Sequence, residues 1–182
     1  MTDEVTLIQQ LKETKSKESA FRKLISQYKK RLYWHIRKIV ISHDDADDVL
    51  QNTFIKIFKN IDAFKGDSKL YSWMYRIATN ESITFINKRA KERKVDISEI
   101  HLELAATLQS DVYFSGDEIQ LILQKAIATL PTKQQLVFNM KYFDELKYSQ
   151  ISEILTTSEG ALKASYFHAV KKIEKYIQQN NN

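Results

Sequence analysis

The sequence predicts an all-α protein: two small helical domains joined by a flexible linker, the C-terminal one containing a helix-turn-helix. Three observations carry that expectation. The 182 residues include only 3 Gly and 1 Pro, the strongest punctuators of sheets and turns, while 43% are hydrophobic, so the core should lie between helices. Apolar residues recur at three- and four-residue steps over most of the chain. From Lys94 to Gly116 that recurrence weakens and the charge changes sign, which separates residues 1–93, a linker 94–116 and residues 117–182.

In the first part, Phe21, Leu24, Tyr28, Leu32, Ile36 and Ile39 predict a helix over 18–40. A second helix starts near Asp44, with Ala46, Val49, Leu50, Thr53, Phe54, Ile57, Phe58 and Ile61 in one wide stripe. The acids Asp44, Asp45, Asp47 and Asp48 lie where a helix dipole favours negative charge. Phe64-Lys65-Gly66-Asp67-Ser68 reads as a break, in which Gly66 permits a turn and Ser68 can cap the next helix. That helix, from about Lys69 to Lys91, should bury Leu70, Trp73, Met74, Ile77, Ala78, Phe85 and Ile86. Its opposite face would show Tyr71, Tyr75, Arg76, Thr79 and Asn80. Two aromatics spaced i, i+4 beside an Arg are either a surface pair or a platform for unstacked bases.

Asp96, Ser98, Glu99, Glu103, Ser110 and Asp111 give the linker its acidity, with room for a helical turn around Leu102–Leu108. A helix from Asp117 to Leu130 then places Ile119, Ile122, Leu123, Ala126 and Ile127 on one face and stops at Pro131. The next carries Leu136, Val137, Met140 and Phe143. Asp144, Glu145 and Lys147 read as a solvated loop. A short helix Tyr148–Leu155, a tight turn Thr156-Thr157 and a last helix from Ser158 to about Ile177 complete the chain.

Composition excludes several classes. With no Cys there is no disulfide framework, thiolate nucleophile or Cys-based zinc site. Met1 to Gln10 lacks the basic and apolar regions of a signal peptide, and no run approaches a membrane span, so a cytoplasmic chain is expected. His43 with the neighbouring acids reads either as a divalent-metal site or as acids answering a helix dipole. No Ser sits in a strained Gly-flanked turn. Neither a catalytic residue nor a cofactor is expected.

The net charge of +5 is segmented. Lys88, Arg89, Lys91, Arg93 and Lys94 form one basic run, and Lys163, Lys171, Lys172 and Lys175 crowd the last helix. Ile151, Ile154 and Leu155 give the short helix a buried side, matched by Leu162, Tyr166, Ala169 and Ile173 on the last one. A few residues between them suit a helix-turn-helix, although a plain αα-hairpin has the same spacing. The last helix would expose Lys163, Ala164, Phe167, His168 and Lys171, a face suited to a major groove. Ser158 at its start leaves backbone N–H groups free to meet a phosphate.

Two blocks together resemble the extracytoplasmic-function (ECF) group of bacterial RNA polymerase sigma factors. The first is Asp44-Asp45-Ala46-Asp47-Asp48-Val49-Leu50-Gln51-Asn52-Thr53-Phe54, continuing through Phe64–Ser68 to Trp73-Met74-Tyr75-Arg76-Ile77-Ala78-Thr79-Asn80. The second is Leu130-Pro131, then Tyr148–Leu155 and Ser158-Glu159-Gly160-Ala161-Leu162-Lys163. The resemblance implies a region 2-like unit over 1–93, an acidic linker over 94–116 and a region 4-like unit over 117–182.

It also implies roles. Asp48, Leu50, Gln51, Thr53 and Phe54 are similar to the surface that docks on core polymerase. Phe64, Lys65, Gly66, Asp67, Ser68 and Lys69, with Tyr75, Arg76 and Asn80, resemble the pocket for an unstacked base of the minus-ten element. Ser158, Glu159, Lys163, Ala164, Phe167, His168 and Lys171 would read the minus-thirty-five element as duplex. The implied partners are core RNA polymerase, promoter DNA as duplex and melted strand, and an anti-sigma factor, with no direct membrane insertion. A linker of roughly 20 residues reaches at most about 70 Å. If the two elements lie about one and a half turns apart, roughly 50 Å must be spanned, so the linker would be largely stretched.

The sequence departs from the family pattern in places. Thr156 stands where relatives often have Gly, Ala164, Ser165 and Val170 where many are richer in Arg, and Thr84 where an Asp is common. Thr156 would cost about 1–2 kcal/mol if its φ is positive. The alternative function is a stand-alone helix-turn-helix regulator binding duplex operators.

Overall fold

The computed structural model describes residues 2–108 and 118–180, and the elements among them are helical. The N-terminal unit holds α1 (Thr2–Lys12), α2 (Lys17–Val40), α3 (His43–Asn60) and α4 (Leu70–Arg93). Leu24, Leu32 and Ile36 of α2 are fully buried, as are Ile57 of α3 and Leu70, Met74 and Ala78 of α4. Each such large side chain contributes about 1.5–3 kcal/mol relative to exposure. The first helix is an addition to the sequence expectation. Its Leu7 and Leu11, one turn apart, close the same core.

The turn between α2 and α3 is tight. Ile41 has φ +65°, uncommon for a β-branched residue, and its N–H donates to the Arg37 carbonyl at 2.8 Å. Ser42 then caps α3, its hydroxyl accepting the Asp45 N–H at 3.4 Å. Asp45 also takes a charged hydrogen bond from Arg89 of α4, so part of the acid-rich start is spent on holding two helices together.

α4 ends at Lys94 in the left-handed region, where the Val95 N–H returns to the Ala90 carbonyl at 3.1 Å. The stretch read as a flexible linker with room for a helical turn around Leu102–Leu108 carries a longer helix in its described part, α5 (Ile97–Thr107). Asp96 and Glu99 form a reciprocal cap at its start. Ile100, His101, Leu104, Ala105 and Leu108 are buried, and α5 packs on both α4 and α6. Arg93 and Glu103 add an ion pair at 2.5 Å. Apolar burial thus overrides the weak periodicity and the acidity of the segment. Ser110, Asp111, Gly116 and Asp117 lie outside the described residues.

The C-terminal unit consists of α6 (Glu118–Ala128), α7 (Thr132–Phe138) running into a π-helical turn (Asn139–Phe143), α8 (Tyr148–Leu155) and α9 (Glu159–Asn180). Burial on α6 begins at Leu121, and Ile119, expected on the apolar face, is exposed. Thr156 joins α8 to α9 with φ +51°, the strained conformation anticipated for it. The Ser158 hydroxyl accepts the Ala161 N–H at 3.4 Å and caps α9. Ala169 and Ile173 of α9 pack with Ala126, Ile127, Leu130 and Phe138 in a local core.

The two units are docked on each other. α8 packs on α4, and the π-helical turn packs on α2. The larger core is continuous from the N-terminal helices to Val137, Met140, Leu146, Ile151, Ile154 and Leu162. Polar contacts reinforce it. Asp144 accepts from Lys38 at 2.6 Å and pairs with His35 at 2.8 Å, and Asn139 donates to the Lys38 carbonyl at 3.2 Å. Asp144 is therefore no solvated loop residue: its side chain is 6% exposed. The turn folds back over α2 and carries the carboxylate under it.

Candidate nucleic-acid interfaces

The face of α9 stands open. Ser158, Glu159, Lys163, Ala164, Phe167, His168 and Lys171 are all exposed, and Phe167 is 54% exposed. Leu162, Ala169 and Ile173 anchor the opposite side, so the helix period itself presents these residues outward. The Lys171 ammonium lies 4.7 Å from the centre of the Phe167 ring, and the Lys163 ammonium 5.7 Å from that of Tyr148. Those rings hold both cations near the helix without burying them. A row of small, aromatic and cationic side chains about 12 Å long is the shape and chemistry a major groove accepts.

The region from Phe64 to Asn80 is arranged differently. Gly66 has φ +83°, which fits the turn expected there. Two α1 residues brace the loop: Lys12 donates to the Phe64 carbonyl at 2.6 Å, and Glu4 accepts the Leu70 N–H at 3.1 Å. Lys65, Gly66, Asp67 and Lys69 are exposed and Ser68 is half-buried. Phe64, however, is 4% exposed, with its ring 5.1 Å from that of Trp73.

Tyr71, Tyr75 and Thr79, expected on an open face of α4, are buried, because α2 covers that side and the C-terminal unit closes over it. Trp73, expected in the core, is only half-buried. The Tyr75 ring lies 4.3 Å from that of Tyr71 and 4.6 Å from that of His35. Burial first, then the charge of Asp144 and the neighbouring Tyr71, hold its hydroxyl far above the ordinary phenol value. Arg76 donates to the Glu153 carbonyl of α8, while Asn80 is exposed. The loop residues are thus exposed, while Phe64 and Tyr75, the aromatics expected to work with them, are buried.

A third feature is a groove of about 720 Å³ between α2 and α3, lined among others by Phe21, Ile25, Asp48, Leu50, Gln51 and Phe54. Exposed Ile55 and Phe58 extend its apolar wall, and Asp47, Asp48, Lys29 and Lys59 give it charges of both signs. Thr53 is fully buried and donates to the Val49 carbonyl at 2.7 Å, so it supports the helix rather than lining the groove. An apolar strip flanked by charges of both signs can take a helical partner by burial, with its charges setting the register.

Sequence reasoning missed Glu4, Lys12, His35 and Asp144. For α1 the pair Leu7 and Leu11 was a usable signal. Asp144 had none, because its partners lie 109 and 106 residues away.

Comparison with known proteins agrees with this layout. The family model for sigma-70 region 2 matches residues 24–92, and that for sigma-70 region 4 matches 120–173. The chain is 29% identical over 173 residues to the ECF RNA polymerase sigma factor SigW of Bacillus subtilis, covering 90% of this chain and 92% of that one. It is 27% identical over 186 residues to the ECF RNA polymerase sigma-E factor of Escherichia coli K12, covering 98% and 95%. In fold it is similar to CnrH, solved with the cytosolic domain of CnrY (TM-score 0.71, 19% identity, 98% of this chain and 99% of that one). It is also similar to the sigma factor RpoE of Bartonella quintana, solved with the anti-sigma factor NepR (TM-score 0.66, 18% identity, 87% and 96%). With both regions present in order, and relatives matched over nearly their whole length, the chain belongs to the ECF group of RNA polymerase sigma factors.

Proposed function

We infer that residues 1–93 dock on core RNA polymerase and capture the melted minus-ten strand, while residues 117–182 read the minus-thirty-five element as duplex. The exposed face of α9, open along its length beside a unit with a separate docking groove, is the observation that supports this best. Asp48, Leu50, Gln51 and Phe54 take the polymerase helix in the α2–α3 groove, and Thr53 holds the shape of α3. Lys163 and Lys171 contact phosphates or a guanine edge, Ala164, Phe167 and His168 fill the groove, and Ser158 and Glu159 set the helix start.

Phe64 and Tyr75 supply ring faces for an extruded base, with Lys65, Gly66, Asp67, Ser68, Lys69, Arg76 and Asn80 around it. Opening a duplex costs about 1.4 kcal/mol per step, and stacking a base on an aromatic returns about 1–3 kcal/mol. One or two captured bases therefore sustain a small bubble. Phe64 is buried within the N-terminal unit against Trp73 and must swing out of it. Tyr75 is buried beside Asp144 of the C-terminal unit, so its use requires the units to separate. Residues 94–116 would then extend, and α5 would leave α4 or α6.

The protein performs no chemistry of its own in this reading and works in the cytoplasm with polymerase. Among the described residues no helix is long and apolar enough to cross a membrane. The RpoE of Bartonella quintana was solved with an anti-sigma factor, and a protein of that class is the proposed inhibitor here. Run-off transcription with purified core polymerase, with and without the chain, tests the assignment. Promoter-dependent transcript is expected. Failure to bind core, with tight binding of free duplex, would favour a stand-alone operator-binding regulator.

A further inference from the structure

Between α2 and the C-terminal unit lies a cleft of about 550 Å³ with an unusual lining for an interface between units of one chain. Lys30, Arg31, Trp34 and Lys38 line it from one face of α2 at i, i+1, i+4 and i+8, and Tyr75 lines it from α4. Trp34 remains 44% exposed, although an indole is usually among the better-covered side chains. The Arg31 guanidinium lies 5.0 Å from the centre of the Tyr71 ring, which leads to Tyr75. Cations interleaved with aromatic faces are the composition of a surface that tracks a single nucleic-acid strand.

The carboxylates already in this cleft belong to the C-terminal unit of the chain itself: Asp144 and the exposed Glu145. Asp144 reaches in from the C-terminal unit, one oxygen 2.6 Å from the Lys38 ammonium and the other 2.8 Å from His35 Nδ1. The other ring nitrogen of His35 is 2.9 Å from the Thr79 hydroxyl, and His35 is 1% exposed. A carboxylate is buried only where cations and hydrogen bonds replace its water. Here both are supplied by the unit that would hold the melted strand. Burial works against the Asp144 charge, yet the His35 bond and the Lys38 ammonium prevail and hold its carboxyl below the ordinary range.

We propose that this α2 cleft is a subsite for a backbone phosphate of the melted promoter strand, and that Asp144 occupies it in place of that phosphate while the units are docked. Docking and strand binding then compete for Lys38 and His35. Separation of the units frees the Lys38 ammonium and the His35 ring and uncovers Tyr75 in one movement, so the phosphate and base subsites open together. The proposal deepens the assignment of strand capture to residues 1–93 and rests on it.

The test uses the full chain without polymerase, measuring anisotropy of a fluorescein-labelled single-stranded thymidine 12-mer and of a duplex of equal length. Asp144→Asn keeps the side-chain shape and removes the competing charge. It should tighten single-strand binding about tenfold, the scale of one charged hydrogen bond, with duplex binding through α9 unchanged. Adding Lys38→Gln should abolish the gain and flatten the salt dependence by about 0.7 in log–log slope, the value for one lost phosphate contact. Trp34→Ala, at an exposed position that folding tolerates, should weaken single-strand binding in the Asp144→Asn background. Equal single-strand binding by wild type and Asp144→Asn, or a gain that survives Lys38→Gln, would overturn the proposal. No detectable single-strand binding by Asp144→Asn would overturn it as well. Run-off transcription by the wild-type chain reports separately on the underlying assignment, so an active sigma factor with an indifferent Asp144 would sink the subsite alone.

Discussion

The C-terminal face proposed for duplex contact and the N-terminal region proposed for strand capture meet the solvent in opposite ways. On α9 and its cap Ser158 the seven residues proposed for duplex contact are all exposed, and reading a groove requires no change of shape. On α4 and the loop before it, Tyr75 and Phe64 are buried, with the C-terminal unit packed over the Tyr75 side. The difference follows from the ligands. A duplex exists before the protein arrives, so its reader can be built on a helix surface. A single strand exists only after melting, and two exposed aromatic faces waiting for it would be an apolar liability in the free protein.

Paired truncations break this comparison most forcefully. Tyr75→Ala should destabilise the free chain by about 3–5 kcal/mol, as buried aromatics do, while Phe167→Ala should stay within about 0.5 kcal/mol. Denaturant midpoints of the two variants measure both, and equal costs would mean that Tyr75 is not covered. Lys163→Ala comes next. It should weaken duplex binding by about 1–3 kcal/mol, uniformly across sequences for a phosphate contact and at one position for a base contact. Titration against a set of single-base variants separates the two.

A smaller effect is expected at the turn between α8 and α9. Thr156→Gly removes the strain of φ +51° but loosens the unfolded chain, leaving a net gain of up to about 1 kcal/mol in thermal stability. Loss of stability would mean that the Thr156 side chain does more than tolerate the turn. The smallest effect concerns pH. Burial lowers the His101 pKa below its ordinary 6.5, only partly offset by a hydrogen bond to the Ile39 backbone. A lowered value means that docking of α5 is at full strength above 6.5 and is lost as the pH falls through the depressed value. Hydrogen exchange of the α5 amides should accelerate on mild acidification, and His101→Gln should remove that dependence.

Much of the fold could be read from the sequence because helical periodicity is local. Leu24, Leu32 and Ile36 mark α2, and Leu162, Ala169 and Ile173 mark the buried side of α9, without reference to any other segment. Ser158 and Thr156 were legible for the same reason, since caps and left-handed turns are made within a few residues. What escaped was tertiary. Tyr71 and Tyr75 look outward only until α2 and the other unit cover them, and Asp144 looks solvated until His35 and Lys38 arrive from far along the chain. The acidic stretch after Lys94 reads as linker by charge, but Ile100, Leu104 and Leu108 find a core to enter.

The distance between the two units tests most directly whether the free chain is docked with Tyr75 hidden. The sequence has no cysteine, so Lys88→Cys on α4 and Lys175→Cys on α9 give two unique spin labels on exposed sites. Pulsed electron resonance on the free protein should show a single short distance, replaced by a longer one on core polymerase with promoter DNA. A broad, long distribution in the free chain, or one unchanged by polymerase and promoter, would contradict it.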